Sequence, residues 1–118
     1  MVMRALIIEP QIFTSFMIED ALRDAGFTSI ALATTEEEAV ASAEAEPPDL
    51  VTSAVQLRCG SGIEAVRKIR LRQDVPVLFI TQQVEEVEVE EPDALVVKKP
   101  FLAAHLPPAI AEAQERSH

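Results

Sequence analysis

Four short apolar runs limit what this chain can fold into more than any other feature. They are "RALIIE" at 4–9, "PDLVTSA" at 48–54, "VPVLFIT" at 75–81 and "DALVVKKP" at 93–100, with polar or helix-patterned sequence between them. Runs that are apolar at successive positions, instead of alternating, have no wet face. Each therefore reads as a strand covered on both sides, which is the pattern of a parallel sheet. Parallel neighbours need long crossovers, and helices supply them.

The intervening segments carry helix spacing. Residues 12–25 put Ile12, Phe16, Ala21, Leu22 and Ala25 near one face, and Gly26 supplies a C-terminal stop. After a second strand at "SIALA", Thr35 with Glu38 three residues on forms a capping box, so "EEEAVASAEA" is a helix that Pro47 and Pro48 end. In "SGIEAVRKIRLR" the inner face is Ile63, Val66 and Ile69, while Arg67, Lys68, Arg70 and Arg72 read as a solvated basic face. The stretch "QQVEEVEVEEPD" is ambiguous: Val84 and Val87 fit a helix, whereas Val87 and Val89 alternate like a strand. We read it as a short, irregular helix. Pro107 and Pro108 are tolerated only in a first turn, which predicts a last helix from near Pro107 to about Glu115. The expected architecture is a single α/β domain over residues 1–118, a doubly wound sheet with helices on both faces. Its ligand crevice should lie at the carboxyl ends of the strands.

Composition narrows the function classes. Twenty acidic against ten basic residues give a net charge of −10, which repels phosphate backbones and argues against nucleic-acid binding. No apolar run approaches the roughly 20 residues of a membrane span, and "MVMRALII" is too short for a secretory signal, so the expectation is a cytoplasmic protein with no membrane contact. Cys59 stands alone, without a second cysteine for a disulfide or a zinc site. No base is identifiable for its thiol and there is no glycine-rich phosphate loop, so nothing suggests an enzyme.

Four groups fall at the strand ends: Glu9, Ala54, Thr81 and the pair Lys99-Pro100. In this order and spacing, "LIIEPQ", "PDLVTSAVQLRCGSG", "VLFIT" and "VVKKPF" resemble the receiver domain of two-component response regulators over essentially the whole chain. The resemblance implies a flavodoxin-like five-stranded sheet of order 2-1-3-4-5, and a cis Lys99-Pro100 bond. It implies a site in which an aspartate ending the third strand accepts a phosphoryl group, beside magnesium held with an acid after the first strand. The Ser or Thr and the Lys would bind the phosphoryl oxygens. Phosphoryl transfer needs an in-line nucleophile and cations against the oxygens, and magnesium wants hard oxygen ligands.

The chain departs from that pattern where the chemistry is densest. Ala54 takes the acceptor position and Pro10 the second acid position. The remnant site is then Glu9, Pro10, Ala54, Gln56, Thr81 and Lys99, with no catalytic residue and Glu9 the only candidate metal carboxylate. One glutamate facing one lysine gives magnesium little reason to shed water, so no cofactor is expected. Ser53 should point away from the crevice and Thr52 should lie two residues deeper, while Asp49 sits at the wrong end of the sheet. Thr81 is either a relic of phosphoryl binding or a strand end that bonds the following turn, and Lys99 reads as the structural partner of Glu9. Val96 takes the place of the aromatic that the family couples to phosphorylation. Arg58 takes a loop position that is often proline, which should loosen that loop. Phe101 and Leu102 read as ordinary packing. The expectation is a stand-alone pseudo-receiver working through protein–protein contacts with a sensor histidine kinase or another signalling protein, with homodimerisation open through the face of the fourth helix, fifth strand and fifth helix. The alternative is a phosphoryl-accepting regulator carrying an engineered Asp-to-Ala change at position 54.

Overall fold

The computed structural model describes residues 2–116. In chain order these form β1 (Arg4–Ile8), α1 (Ile12–Asp24), β2 (Ser29–Ala33), α2 (Glu36–Ala45), β3 (Leu50–Ser53), α3 (Gly62–Arg70), β4 (Val77–Thr81), α4 (Val84–Glu90), β5 (Leu95–Lys98), a 3-10 turn (Ala103–His105) and α5 (Leu106–Glu115). The strands are all parallel in the order β2-β1-β3-β4-β5, the doubly wound arrangement the sequence predicts. Ile8 pairs with Ser53, Ser53 with Phe79 and Thr81 with Lys98, so the carboxyl ends of the central strands come level at one edge. Lys99-Pro100 is cis, as the resemblance implies.

The apolar runs alternate between two cores. Leu6, Ile8, Val51, Val77 and Phe79 meet α2 and α3, together with Val87 of α4, on one face. Ala5, Ile7, Leu50, Leu78, Ile80 and Val97 meet α1 and α5 on the other. Strands buried on both faces need no polar positions, which is why their sequence runs are continuous. At the amino edge of the sheet the Asp49 carboxylate accepts from Arg4 N–H at 2.8 Å, and Asp49 N–H donates to the Arg4 carbonyl at 2.7 Å. Asp49 thus fastens β1 to β3, far from the crevice.

Helix α1 differs from its expected orientation. Its buried residues are Ser15, Ile18, Ala21 and Leu22, while Ile12, Phe13 and Phe16 are 58%, 80% and 51% exposed. The helix presents two apolar stripes, and the sheet takes the one centred on Ile18 and Leu22. Spacing alone could not choose between them. In α2 the Thr35 hydroxyl accepts from Glu38 N–H as expected, but the Glu38 carboxylate reaches Thr34 N–H and hydroxyl, one residue upstream of the usual capping-box partner.

The basic residues of α3 do more than face solvent. Arg67 bonds the carboxylates of Glu64 and Glu90 and the Glu90 carbonyl, Lys68 pairs with Glu36, and Arg70 donates to the Val75 carbonyl. They tie α3 to α2 and to the end of α4. Helix α4 is short, as predicted, with Val87 its buried residue. Helix α5 begins at Leu106, one residue before Pro107, so the prolines fall in its first turn. Leu102 is exposed instead of packed, whereas Phe101 is half-buried against the α1–α5 core.

Candidate functional site

A crevice of about 380 Å³ opens at the carboxyl edge of the sheet, lined by residues of four connections. The β1–α1 turn supplies Glu9, Pro10 and Gln11, and the loop after β3 supplies Ala54, Gln56, Leu57 and Arg58. Thr81, Gln82 and Gln83 come from the end of β4 and the start of α4, and Lys99 follows β5. All six positions singled out from the sequence therefore meet in one place.

Among the described residues, the only carboxylate on the crevice wall, Glu9, is 1% exposed. Its Oε1 lies 2.9 Å from Lys99 Nζ, and its Oε2 accepts from Gln11 N–H at 3.1 Å. Lys99 Nζ also lies 3.5 Å from Gln11 Oε1, and Lys99 N–H extends the sheet ladder to the Thr81 carbonyl at 2.9 Å. Ala54 is buried, its N–H is bonded to the Ile8 carbonyl at 2.8 Å, and it is among the residues that line the crevice. The Ser53 hydroxyl turns back to the Ala54 carbonyl at 2.7 Å, and the Thr52 hydroxyl is buried without a hydrogen-bond partner among the described residues; neither lines the crevice. Among the described residues no group of three or more His, Cys, Asp or Glu is placed to hold a metal ion.

The loop after β3 is fastened along its outer side, contrary to the looseness expected from Arg58. Arg58 N–H donates to the Thr34 carbonyl at 3.0 Å, Glu36 N–H to the Cys59 carbonyl at 3.0 Å, and Ser61 N–H to the Glu36 carboxylate at 3.1 Å. The Lys68 ammonium and the Ser61 amide hold the Glu36 carboxyl below its ordinary pKa. Gly62 closes the loop by packing onto the backbone of Ala54: a Cβ there would sit 1.7 Å from the Ala54 carbonyl oxygen. The cysteine at position 59 is exposed on this loop with no partner thiol.

Sequence reasoning named Gln56 but missed Gln82 and Gln83. Thr81 Oγ1 donates to Gln83 Oε1 at 2.8 Å and accepts from Gln83 N–H at 3.0 Å, while Gln83 Nε2 donates to Gln56 Oε1 at 3.3 Å. The available signal was position: Gln82 and Gln83 are the first residues beyond a strand that ends in the crevice.

Comparison with known proteins gives the same architecture. Residues 5–110 match the family model described as the response regulator receiver domain. The chain is 35% identical over 112 residues to the phyllosphere-induced regulator PhyR of Methylorubrum extorquens, covering 92% of this chain and 42% of that protein. It is 32% identical over 117 residues to the transcriptional regulatory protein PdtaR of Mycobacterium tuberculosis, covering 96% of this chain and 57% of that protein. The solution structure of the receiver domain of Erythrobacter litoralis PhyR superposes with a TM-score of 0.87 at 33% identity, covering 95% of this chain and 89% of that one. The chain thus spans about half the length of these two curated relatives. On the sheet order, the crevice at its carboxyl edge and the match over residues 5–110, this chain belongs to the response regulator receiver domain family of two-component signalling.

Proposed function

We propose that this receiver domain is a pseudo-receiver, which signals through protein–protein contacts without carrying a phosphoryl group in its crevice. The observation that carries the reading is Ala54, with only a methyl for a side chain, lining the crevice together with a Glu9 already engaged by Lys99. A methyl offers no electron pair to phosphorus. The Ser53 and Thr52 hydroxyls do not line the crevice, the former being turned to a backbone carbonyl, and the Thr81 hydroxyl, which does line it, is bonded to Gln83. Nothing in this crevice makes the domain an enzyme.

The magnesium that receivers use does not fit this donor set. Magnesium needs near-octahedral oxygen ligation and is usually held by one or two carboxylates plus phosphate oxygens. Here Pro10 and Ala54 bring no side-chain oxygen, and both oxygens of Glu9 already face cationic or N–H partners. We therefore assign the domain no metal and no cofactor. Its partner in this reading is a sensor histidine kinase or another signalling protein in the cytoplasm, not a nucleic acid. The exposed Ile12, Phe13 and Phe16 of α1, directly after the crevice turn, support contact with a protein. Self-association, where it occurs, is assigned to the face of α4, β5 and α5.

Thermal unfolding with and without magnesium tests the reading. A cation that binds only the folded state must stabilise it, by about 2.7 kcal/mol at a hundredfold excess over its dissociation constant. We expect the melting temperature to be the same in millimolar magnesium and in potassium of equal ionic strength. A magnesium-specific rise of several degrees would overturn the assignment.

A further inference from the structure

We propose that the trough between α2 and α3 is a docking surface for a second copy of this chain, each copy seating its Leu71 in the trough of the other. The contact goes beyond the pseudo-receiver reading and adds a second face to that of α4, β5 and α5.

The trough follows from the sequence of α2. Alanine stands at positions 39, 41, 43 and 45, so α2 meets α3 with short side chains and leaves space between the two helices. Towards the amino edge of the sheet this space measures about 260 Å³, with Val40, Ala43, Pro47 and Ile69 as its apolar lining. A more open groove continues it towards the other edge, sharing Val40, Glu44 and Lys68 with it. Leu71 stands at the closed end. It directly follows α3 and is 84% exposed. A single exposed leucine is ordinary on a protein surface. This one lies two residues beyond the buried Ile69, about 200° round the helix, so it points straight away from the sheet.

Charge decides how a second copy lies on this face. The α2 rim of the trough is acidic, with Glu37 and Glu44, and the α3 rim is basic, with Lys68 and Arg72. A two-fold axis running along the trough lays α2 on the α3 of the second copy, acid rim to basic rim. An axis across the trough would lay α2 on α2 and oppose like charges. The first arrangement also preserves height, because both helices run back from the carboxyl to the amino edge of the sheet. Each Leu71 then comes level with the apolar end of the other trough. Lys68 is held by Glu36 of its own chain. The Arg72 side chain, however, is 79% exposed and no closer than 4.0 Å to Glu44, so its guanidinium keeps donors for the second copy. Helices of ten and nine residues are about 15 Å long, and a face of that size falls short of the roughly 800 Å² per partner of a standard interface. The dimer is therefore weak, with a dissociation constant on the order of 100 μM.

Sedimentation equilibrium on the whole chain tests this, at physiological ionic strength and from micromolar to millimolar protein. Wild type should show a reversible monomer–dimer equilibrium. Leu71→Asp removes both symmetric knobs and should weaken association roughly a hundredfold or more. Val89→Asp, on the exposed side of α4, should associate as wild type does. Glu44→Lys and Arg72→Glu each set like charges against one another across the axis, and each alone should associate about tenfold more weakly or worse. Their equimolar mixture should dimerise as wild type does, because every rim contact in the mixed pair again joins a cation to an anion. The proposal is overturned by a wild type that stays monomeric at millimolar concentration, or by Leu71→Asp associating like wild type. It is equally overturned by Val89→Asp dissociating as far as Leu71→Asp, or by a mixture no more associated than its parts. Magnesium-dependent melting reads the pseudo-receiver assignment separately, so either can fail while the other stands.

Discussion

Ala54 and Pro10 affect the same crevice by different routes. The alanine removes a nucleophile, while the proline removes an oxygen ligand and fixes its own φ near −65°. An engineered block of phosphorylation needs only position 54, so Pro10 favours a crevice that is inert by nature. Ala54→Asp places a second carboxylate in a buried position beside Glu9, and electrostatic stabilisation of the transferred group is most of what such a site contributes. We expect Ala54→Asp to incorporate phosphoryl from acetyl phosphate poorly or not at all. Ala54→Asp with Pro10→Asp should do so distinctly faster and only with magnesium, as followed by mass over time. Equal rates in the two variants would show that Pro10 is irrelevant. Lys99 has its own role in stability. With Glu9 1% exposed, Lys99→Met leaves a buried charge uncompensated, and urea unfolding should show a loss of about 3 kcal/mol. Adding Glu9→Gln should recover part of that loss, because it removes the orphaned charge.

At the scale of elements, the loop after β3 owes its shape to contacts with the start of α2. The Glu36 carboxyl is held below its ordinary pKa, first by the Lys68 ammonium and then by the Ser61 amide. A depressed carboxyl pKa stabilises the fold above the unfolded-state value, and that stabilisation is lost as pH falls through the folded-state value. Glu36→Gln keeps an acceptor for Ser61 and loses the charge. It should therefore melt roughly one to three degrees below wild type at neutral pH, and the gap should close in acid below the range of ordinary carboxylates. A gap that persists in acid would assign the loss to packing. Most elements were legible because continuous apolar runs and cap residues are local signals. The orientation of α1 was not, since Ile12, Phe13, Phe16, Ile18 and Leu22 offer two apolar stripes and only the tertiary fit selects one. The basic face of α3 is solvated as expected, but its ion pairs were not legible for a similar reason. Arg67 and Lys68 find their acids on α4 and α2, at 23 and 32 residues' distance in sequence, where no helical spacing rule reaches. The crevice residues at strand ends could be read from motif order, whereas the glutamine link depends on where two loops meet.

On the scale of the whole molecule, the receiver architecture is intact. Five parallel strands, two cores and a crevice at the carboxyl edge are all present, and Lys99 and Thr81 stand at their strand ends. A sheet buried on both faces holds its strand ends in place through packing, so the shape of the crevice does not depend on the chemistry performed there. That independence explains how a chain can keep the frame of a switch while the residue at the acceptor position is an alanine. Val96, half-buried against the α2–α3 core, gives the frame no aromatic to move between positions. The most direct test is the intact mass of this chain after incubation with acetyl phosphate and magnesium. The account predicts an unchanged mass, and a stable adduct of one phosphoryl group on any crevice residue would contradict it.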